Sequence, residues 1–519
     1  MKTKRCWRVF IIGFMCLSSL LLLSLAVGQV ALAEQKGEVV IATYFPVFYQ
    51  KGGDPATQVS GYPTVSQHVF DSLVWVDREQ NIKPGLAKSW SVKGGWTDME
   101  FDLRDDVTFH DGSKFTAEDV KFSLETYLRP KLRYLFAPLW RRNIKSVEVL
   151  GPYRVRIVLN SPDPGFLIRM WWGAGIMPKA YREKVGDNGF ADKPVGTGPF
   201  KWLDYKQDVY WRAEAVPKHF RHTPAYKNLK VMYVGDHSTR LAMLKAGEAD
   251  IIDALGPHIP QIKAAPNLRL IMAKHPHMTT VGFCDLAFPD QPSPFHDIRV
   301  REAASLAIDR QTICDKLLFG ASEPYGEILS PITLGYDPTI KPDPYDPEKA
   351  KKLLAEAGYA KGFETEINTL AATKYWFEAI ASNLADVGIK AKINVIEGGT
   401  YRQLMMEKKL KGLIYRAMWW HCERHPAADM SDMWLKWMPG AYNTTDEIHN
   451  TIMAGMTAQS DEDMAAAGRK ISKVIRDSRQ VIILWVNNHP YGVSNKIAYW
   501  EPQLGAMPAT AWEFIKIKE

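Results

Sequence analysis

Residues 418–434, MWWHCERHPAADMSDMW, set indoles, imidazoles, a thiol, a guanidinium and carboxylates side by side. Trp419 and Trp420 offer flat aromatic faces. Arg424 offers a planar fork suited to a carboxylate or phosphate, and Glu423 or Asp429 a partner for an amine. His421 and His425 stand four apart, the spacing that lets two imidazoles share a metal on one helix face, and the Cys422 thiolate would favour a soft ion. Pro426 argues against a helix continuing through this stretch, and three potential ligands in a loop are not a site. No protein-ligated metal and no cofactor are therefore expected. The plain alternative for Arg424 is that it points to solvent and pairs with Glu423.

Other clusters raise the same question. Trp171 and Trp172 follow Arg169, and stacking on a flat or sugar-like solute suits such a pair. On a strand, neighbouring side chains face opposite sides, so one ring of each Trp pair would fill the core and the other a cleft. His275 and His277 flank Pro276, a pattern more often structural than ligating. Met405, Met406, Met418, Met430, Met433 and Met438 crowd the region, but methionine is a routine gap filler and their spacing fits no ligand set. The chain has no G-x-S-x-G elbow, no H-E-x-x-H helix and no recognisable Cys–His–Asn set. A secreted hydrolase using Cys422 and His425, or a His-bound metal, stands as the rival from another class.

The elements that must hold these side chains alternate between short β-type runs and amphipathic helices. Residues 39–43 predict a first strand ending at Tyr44 and Phe45, and the carboxyl edge of an open α/β sheet commonly faces a ligand. Residues 99–103 and 155–159 alternate as half-buried strands do. Thr116 with Asp119 reads as a helix cap, and Val120, Leu124, Tyr127 and Leu128 give that helix an apolar face. Ser238 is the expected cap of a helix stopped by Gly247, and Asp346-Pro347 opens another stopped by Gly358. Strands are expected over 390–396, 413–419 and 481–486, and a long helix over 461–478. Residues 487–492 then lead the chain back toward its first lobe.

At the start, Lys2, Lys4, Arg5 and Arg8 precede an apolar run over 9–27, and Ala31-Leu32-Ala33 follows. That order is the layout of a secretory signal peptide cleaved between Ala33 and Glu34. The formal charge of +7 loses those four cations, leaving +3, too mild to argue for nucleic acid or a membrane surface. No later stretch is long and apolar enough to span a bilayer as a helix. Of the five cysteines, Cys6 and Cys16 leave with the leader, so Cys284, Cys314 and Cys422 allow at most one disulfide. Without those 33 leader residues the chain of 519 fits roughly three units at about 150 residues each.

Six runs follow one another in register: NIKPGLAKSW (81–90), FDLRDDVTFHDGSKFTAEDVKFSLE (101–125), PVGTGPFKW (194–202), TRLAMLKAGEADI (239–251), DIRVREAASLAIDR (297–310) and YDPEKAKKLLAEAG (345–358). In this order the chain resembles the family 5 extracellular solute-binding proteins, whose members take up dipeptides, oligopeptides, nickel chelates and related solutes. The resemblance implies a periplasmic, non-enzymatic receptor for an ABC importer, a monomer that captures a small molecule or peptide and delivers it to an inner-membrane permease. It also implies an α/β fold of two lobes closing like a Venus flytrap, with an extra domain in the first. Lobe one would be 34–73, 194–278 and 490–519, the inserted domain 74–193, and lobe two 279–489. The six runs themselves read as scaffold.

In peptide binders of this family, the strand matching 413–419 is followed by Trp and an acidic, Pro-containing loop whose Asp pairs with the peptide ammonium. Here that loop carries His421, Cys422, Glu423, Arg424 and His425. The departure shifts the expected solute toward one with an anionic group, held by Arg424 beside Trp419 and Trp420 in an enclosed cleft. A metal chelate such as a nickel complex is the alternative ligand.

Overall fold

A computed structural model of the chain describes residues 37–44, 52–57, 66–78, 80–130, 137–419, 424–438, 441–502 and 511–518. The expected leader with its cleavage point at Ala33 and Glu34 lies outside these residues, as do Phe45, Trp420, His421, Cys422 and Glu423. Strand β1 (Glu38–Thr43) is followed by a β-rich stretch. There β2 (Val74–Val76) pairs with β3 (Ile82–Pro84), and β4 (Ala87–Lys93), β5 (Asp98–Leu103), β6 (Ile144–Gly151) and β7 (Arg154–Leu159) form an antiparallel sheet ordered β4-β5-β7-β6. Next come β8 (Phe200–Lys206), β9 (Tyr210–Ala215), β10 (Asn228–Tyr233), β11 (Ile251–Asp253), β12 (Leu268–Phe283) and β13 (Ser322–Pro324). The last are β14 (Phe363–Thr369), β15 (Ile389–Val395), β16 (Leu413–Trp419) and β17 (Val481–Ser494).

Strands β8 to β17 join β1 in one eleven-stranded sheet, ordered β15-β14-β16-β12-β17-β11-β1-β10-β9-β8, with β13 also on β17. Strands β1, β10 and β11 run parallel, as do β14, β15 and β16, and helices cross between them. Only β12, of 16 residues, and β17, of 14, extend from one end of this sheet to the other. At one end a core running from Val39 to Ile515 packs the sheet together with β2–β7, and Ala42, Leu241 and Ile252 fill the other face. At the opposite end Phe283, Leu306, Ile367 and Trp485 cover one face, and Met278, Met418, Met430 and Trp434 the other. The result is two lobes joined by a pair of antiparallel strands.

Local chemistry explains several boundaries. The Asp119 carboxylate accepts from the Thr116 amide at 2.9 Å, which starts the helix Ala117–Tyr127 as expected. Asp346 caps Pro347–Glu356, with proline at the first helical position. Ser238 lies inside the helix His237–Ala246, which Asp236 caps instead by accepting from the Thr239 amide at 2.7 Å. A carboxylate two residues earlier satisfies an orphan donor and favours the positive end of the helix. Trp171 and Trp172 sit on the helix Phe166–Gly173, not on a strand. Every residue of that helix is buried, so apolar residues on all sides gave no single stripe to read.

Candidate functional site

The strand pair between the lobes has a polar break. Lys274 faces Asn488 and His277 faces Asn487, so His275 and Pro276 fall out of register. A proline has no N–H to donate to the ladder, and such bulges re-aim a strand. The Asn487 amide nitrogen bonds His277 Nδ1 and Thr279 Oγ1, each at 2.9 Å, and its oxygen accepts from Ser322 Oγ at 3.0 Å. One half-buried amide thus ties β12, β13 and β17 where the lobes meet.

On the first-lobe side, four elements converge. Tyr44 follows β1, Asp253 ends β11, His489 lies on β17, and His237 and Arg240 come from the helix His237–Ala246. The Tyr44 ring stacks on His489 at 6.3 Å and lies under Arg240 at 5.3 Å. Arg240 spends its donors on main-chain oxygens of Asp253 and Val234 and on His237 Nδ1. Asp253 Oδ1 accepts from His489 Nε2 at 3.2 Å, while Oδ2 is buried with no hydrogen-bond partner among the described residues. Burial, then the Asp253 charge, raise the Tyr44 hydroxyl pKa well above its ordinary value, with a further contribution from Tyr415 on β16. Tyr415 belongs to the second lobe, so this cluster lies at the junction. Burial and then Arg240 lower the pKa of both His237 and His258, favouring neutral rings.

On the second-lobe side, β16 carries a buried cation. Arg416 is 4% exposed, donates to Asn443 Oδ1 at 3.3 Å and the Met433 carbonyl at 3.2 Å, and stands 5.6 Å over the Trp434 ring. Among the described residues it has no carboxylate within ion-pair distance. Desolvation pulls its pKa down to about 10. A cation kept this way is a ready partner for an anion from outside the protein.

The expected anion anchor lies elsewhere. Arg424 is 49% exposed and pairs with Asp461 Oδ2 at 3.0 Å, so it is not shut in a cleft. The physical reason is the run Asp461, Glu462 and Asp463 at the start of the helix Asp461–Asp477, an acidic patch that draws a guanidinium outward. The ring nitrogens of His425 are engaged within the protein. It caps the helix Pro426–Trp434, its Nδ1 accepting from the Ala428 amide at 3.3 Å and its Nε2 meeting the Ala458 carbonyl at 3.1 Å. Burial lowers its pKa to about 4.

Trp171 and Trp172 meet edge to face at 6.0 Å inside the first-lobe core, where Arg169 pairs with Asp163. Neither ring stands ready to stack on a solute, although Trp171 borders a cavity of about 20 Å³, room for a single water. Asp429 is buried and accepts from Thr333 Oγ1 at 3.2 Å. Met418 and Met430 are core residues, and Met406 is exposed. Among the described residues no group of three or more His, Cys, Asp or Glu is placed to hold a metal. Cys284 and Cys314 are free and buried, and burial raises both thiols, Cys314 to about 12. Protonated, enclosed thiols are poor nucleophiles.

Arg240, Asp253, His489 and Arg416 were all missed from sequence. The edge argument that singled out Tyr44 applies equally to Asp253, which ends the parallel neighbour of β1. Arg240 sat within a run read as scaffold. Arg416 sits on a strand whose position was expected, but nothing in a single sequence marks an arginine as buried.

Residues 81–435 match the bacterial extracellular solute-binding proteins, family 5. The chain is 31% identical to heme-binding protein A of Haemophilus influenzae over 402 residues, covering 70% of this chain and 72% of the relative. It is 31% identical to di/tripeptide-binding protein 2 of Pseudomonas aeruginosa over 420 residues, covering 73% and 76%. The fold superposes with a TM-score of 0.78 on the periplasmic binding protein DppA of Helicobacter pylori, an ABC transporter-associated protein solved with the peptide STSA, at 23% identity over 93% of this chain and 99% of that one. Two α/β lobes, the pair of strands between them and this sequence match together show that the chain belongs to the bacterial extracellular solute-binding proteins, family 5.

Proposed function

We propose that the protein is the exported solute receptor of an ABC importer. Its leader is removed after Ala33, it works in the periplasm without catalysing a reaction, and it hands its solute to an inner-membrane permease. The proposed lobes are 34–73 with 194–278 and 490–519, and 279–489, with 74–193 inserted in the first. The solute is a peptide or related compound with an anionic group, held between the lobes. Trp419 ends the strand that carries Arg416, Trp420 comes next in the chain, and Tyr44 stands across the junction. The neighbouring loop residues His421 and Glu423, and Phe45 beside Tyr44, complete the proposed lining.

The observation that carries this reading is Arg416. An uncompensated buried charge costs several kcal/mol, and a solute carboxylate reaching it would remove that cost. Because the junction residues come from both lobes, such a solute binds the closed form better and shifts the equilibrium toward it. Native mass spectrometry of the protein purified from periplasm tests the idea. One small co-purified solute with an anionic group is expected, and it should be absent from Arg416→Met. A solute with no anionic group, retained by that variant, would contradict the reading.

A further inference from the structure

We infer that His425 is a positioning residue for lobe closure: it fixes the Ala458 carbonyl where Trp96, on the first-lobe side, bonds it, and so sets a latch at the periphery. The inference goes beyond the receptor reading and holds for any solute. The Ala458 carbonyl accepts from two sides, from Trp96 Nε1 at 3.4 Å and from His425 Nε2 at 3.1 Å. The first bond joins the lobes, and the second lies within the second lobe. At its length the Trp96 bond is close to the limit for N–H donors, so a small displacement of the carbonyl loses it.

The residue type at 425 does more than capping asks. A helix N-cap is best filled by Asn, Asp, Ser or Thr. Histidine supplies the cap here through Nδ1, which accepts from the Ala428 amide at 3.3 Å. With Nδ1 accepting, a neutral ring carries its proton on Nε2, which then donates to Ala458. His425 is 6% exposed, and burial holds it in that neutral form. A second nitrogen on the far side of the ring is what a smaller cap would lack.

Trp96 carries a matching oddity. Its φ is 70°, in the left-handed region, directly after Gly94 and Gly95 at 58° and 60°. A bulky residue there is strained, and such strain persists where the surroundings hold it, often at working sites. The turn is braced on its own side, where the Trp96 carbonyl accepts from the Asp163 amide at 3.2 Å. The helix behind His425 extends the reach of the latch. Pro426–Trp434 bears at its other end the Met433 carbonyl and the Trp434 ring that enclose Arg416. One short helix thus runs from the latch to the buried cation.

Small-angle X-ray scattering of the unliganded mature protein tests the latch with His425→Asn, Trp96→Phe and the double variant. Asparagine keeps a capping oxygen but is too short to reach Ala458, and phenylalanine keeps an aromatic ring without the N–H. Each single variant should have a larger radius of gyration than the wild type. The double variant should open no further than the wider single one, because both donors act on one carbonyl. An unchanged radius in folded His425→Asn, or additive opening in the double variant, overturns the inference. Melting temperatures show which variants are folded. Nitrogen NMR of the wild-type His425 ring needs no variant: a neutral ring protonated at Nε2 is expected, and a proton on Nδ1 overturns the inference equally.

Discussion

Arg416 and Arg424 carry the same chemical group and lie eight positions apart, yet their surroundings give them opposite roles. Arg424 is pinned at the surface by Asp461, an exposed pair that contributes about 0–1 kcal/mol. Arg416 is enclosed by Asn443, Met433 and the Trp434 ring with no carboxylate partner among the described residues. Replacing a buried, uncompensated charge by an apolar side chain of similar length is commonly neutral or stabilising. Arg416→Met is therefore expected to melt at or above the wild-type temperature while losing about 100-fold in solute affinity, as removal of a buried charge-assisted contact does. Thermal denaturation beside titration with the native solute checks this. A large drop in stability with affinity unchanged would make the residue structural.

At the scale of elements, the protein depends on a few close backbone approaches. The loop before β8 presses Gly196 and Gly198 against the short helix Ser66–Val69, and a Cβ at Gly196 would lie 2.0 Å from the Val69 carbonyl oxygen. A backbone oxygen cannot swing aside as a side chain does. Gly196→Ala is expected to cost about 1–3 kcal/mol through overpacking, measured by urea denaturation, with solute affinity unchanged in the folded fraction.

Much at this scale was legible in the sequence. Strand β16 was expected over its observed bounds, β1 and β14's neighbour β15 within one residue, and the caps at Thr116 and Asp346 were read from side-chain chemistry that acts within one turn. Reach was harder to read than type. Strand β17 runs eight residues past the expected 486 to Ser494, because its polar stretch Asn487, Asn488 and His489 crosses between lobes instead of ending a strand. Polar residues in mid-strand look like a loop until a partner such as β12 satisfies them. The site failed for a related reason. Asp253 meets His489 236 positions away and Arg416 meets Asn443 27 positions away, beyond the reach of any local pattern.

The whole molecule adds contacts that the site alone does not. The β4–β5 turn reaches the second lobe, where Trp96 Nε1 donates to the Ala458 carbonyl at 3.4 Å. Beside it the Arg142 guanidinium stands 4.0 Å over the Trp437 ring, although that ring is 39% exposed. These contacts lie far from the bridging strands in sequence and join the two lobes at their periphery. An exposed cation–π contact contributes about 0.5–1 kcal/mol. Arg142→Ala should therefore shift the unliganded protein toward an open form, seen as a larger radius of gyration by small-angle X-ray scattering. Saturating solute should restore the compact form in wild type and variant alike.

The central claim is that a solute anion completes Arg416 between the closed lobes. A crystal structure of the protein carrying the solute it acquires in the periplasm tests this most directly. The account predicts an anionic oxygen of that solute within hydrogen-bond distance of the Arg416 guanidinium, with Tyr44 closing over it from the first lobe. A solute seated elsewhere, with Arg416 still bonded only to Asn443 and Met433, would contradict it.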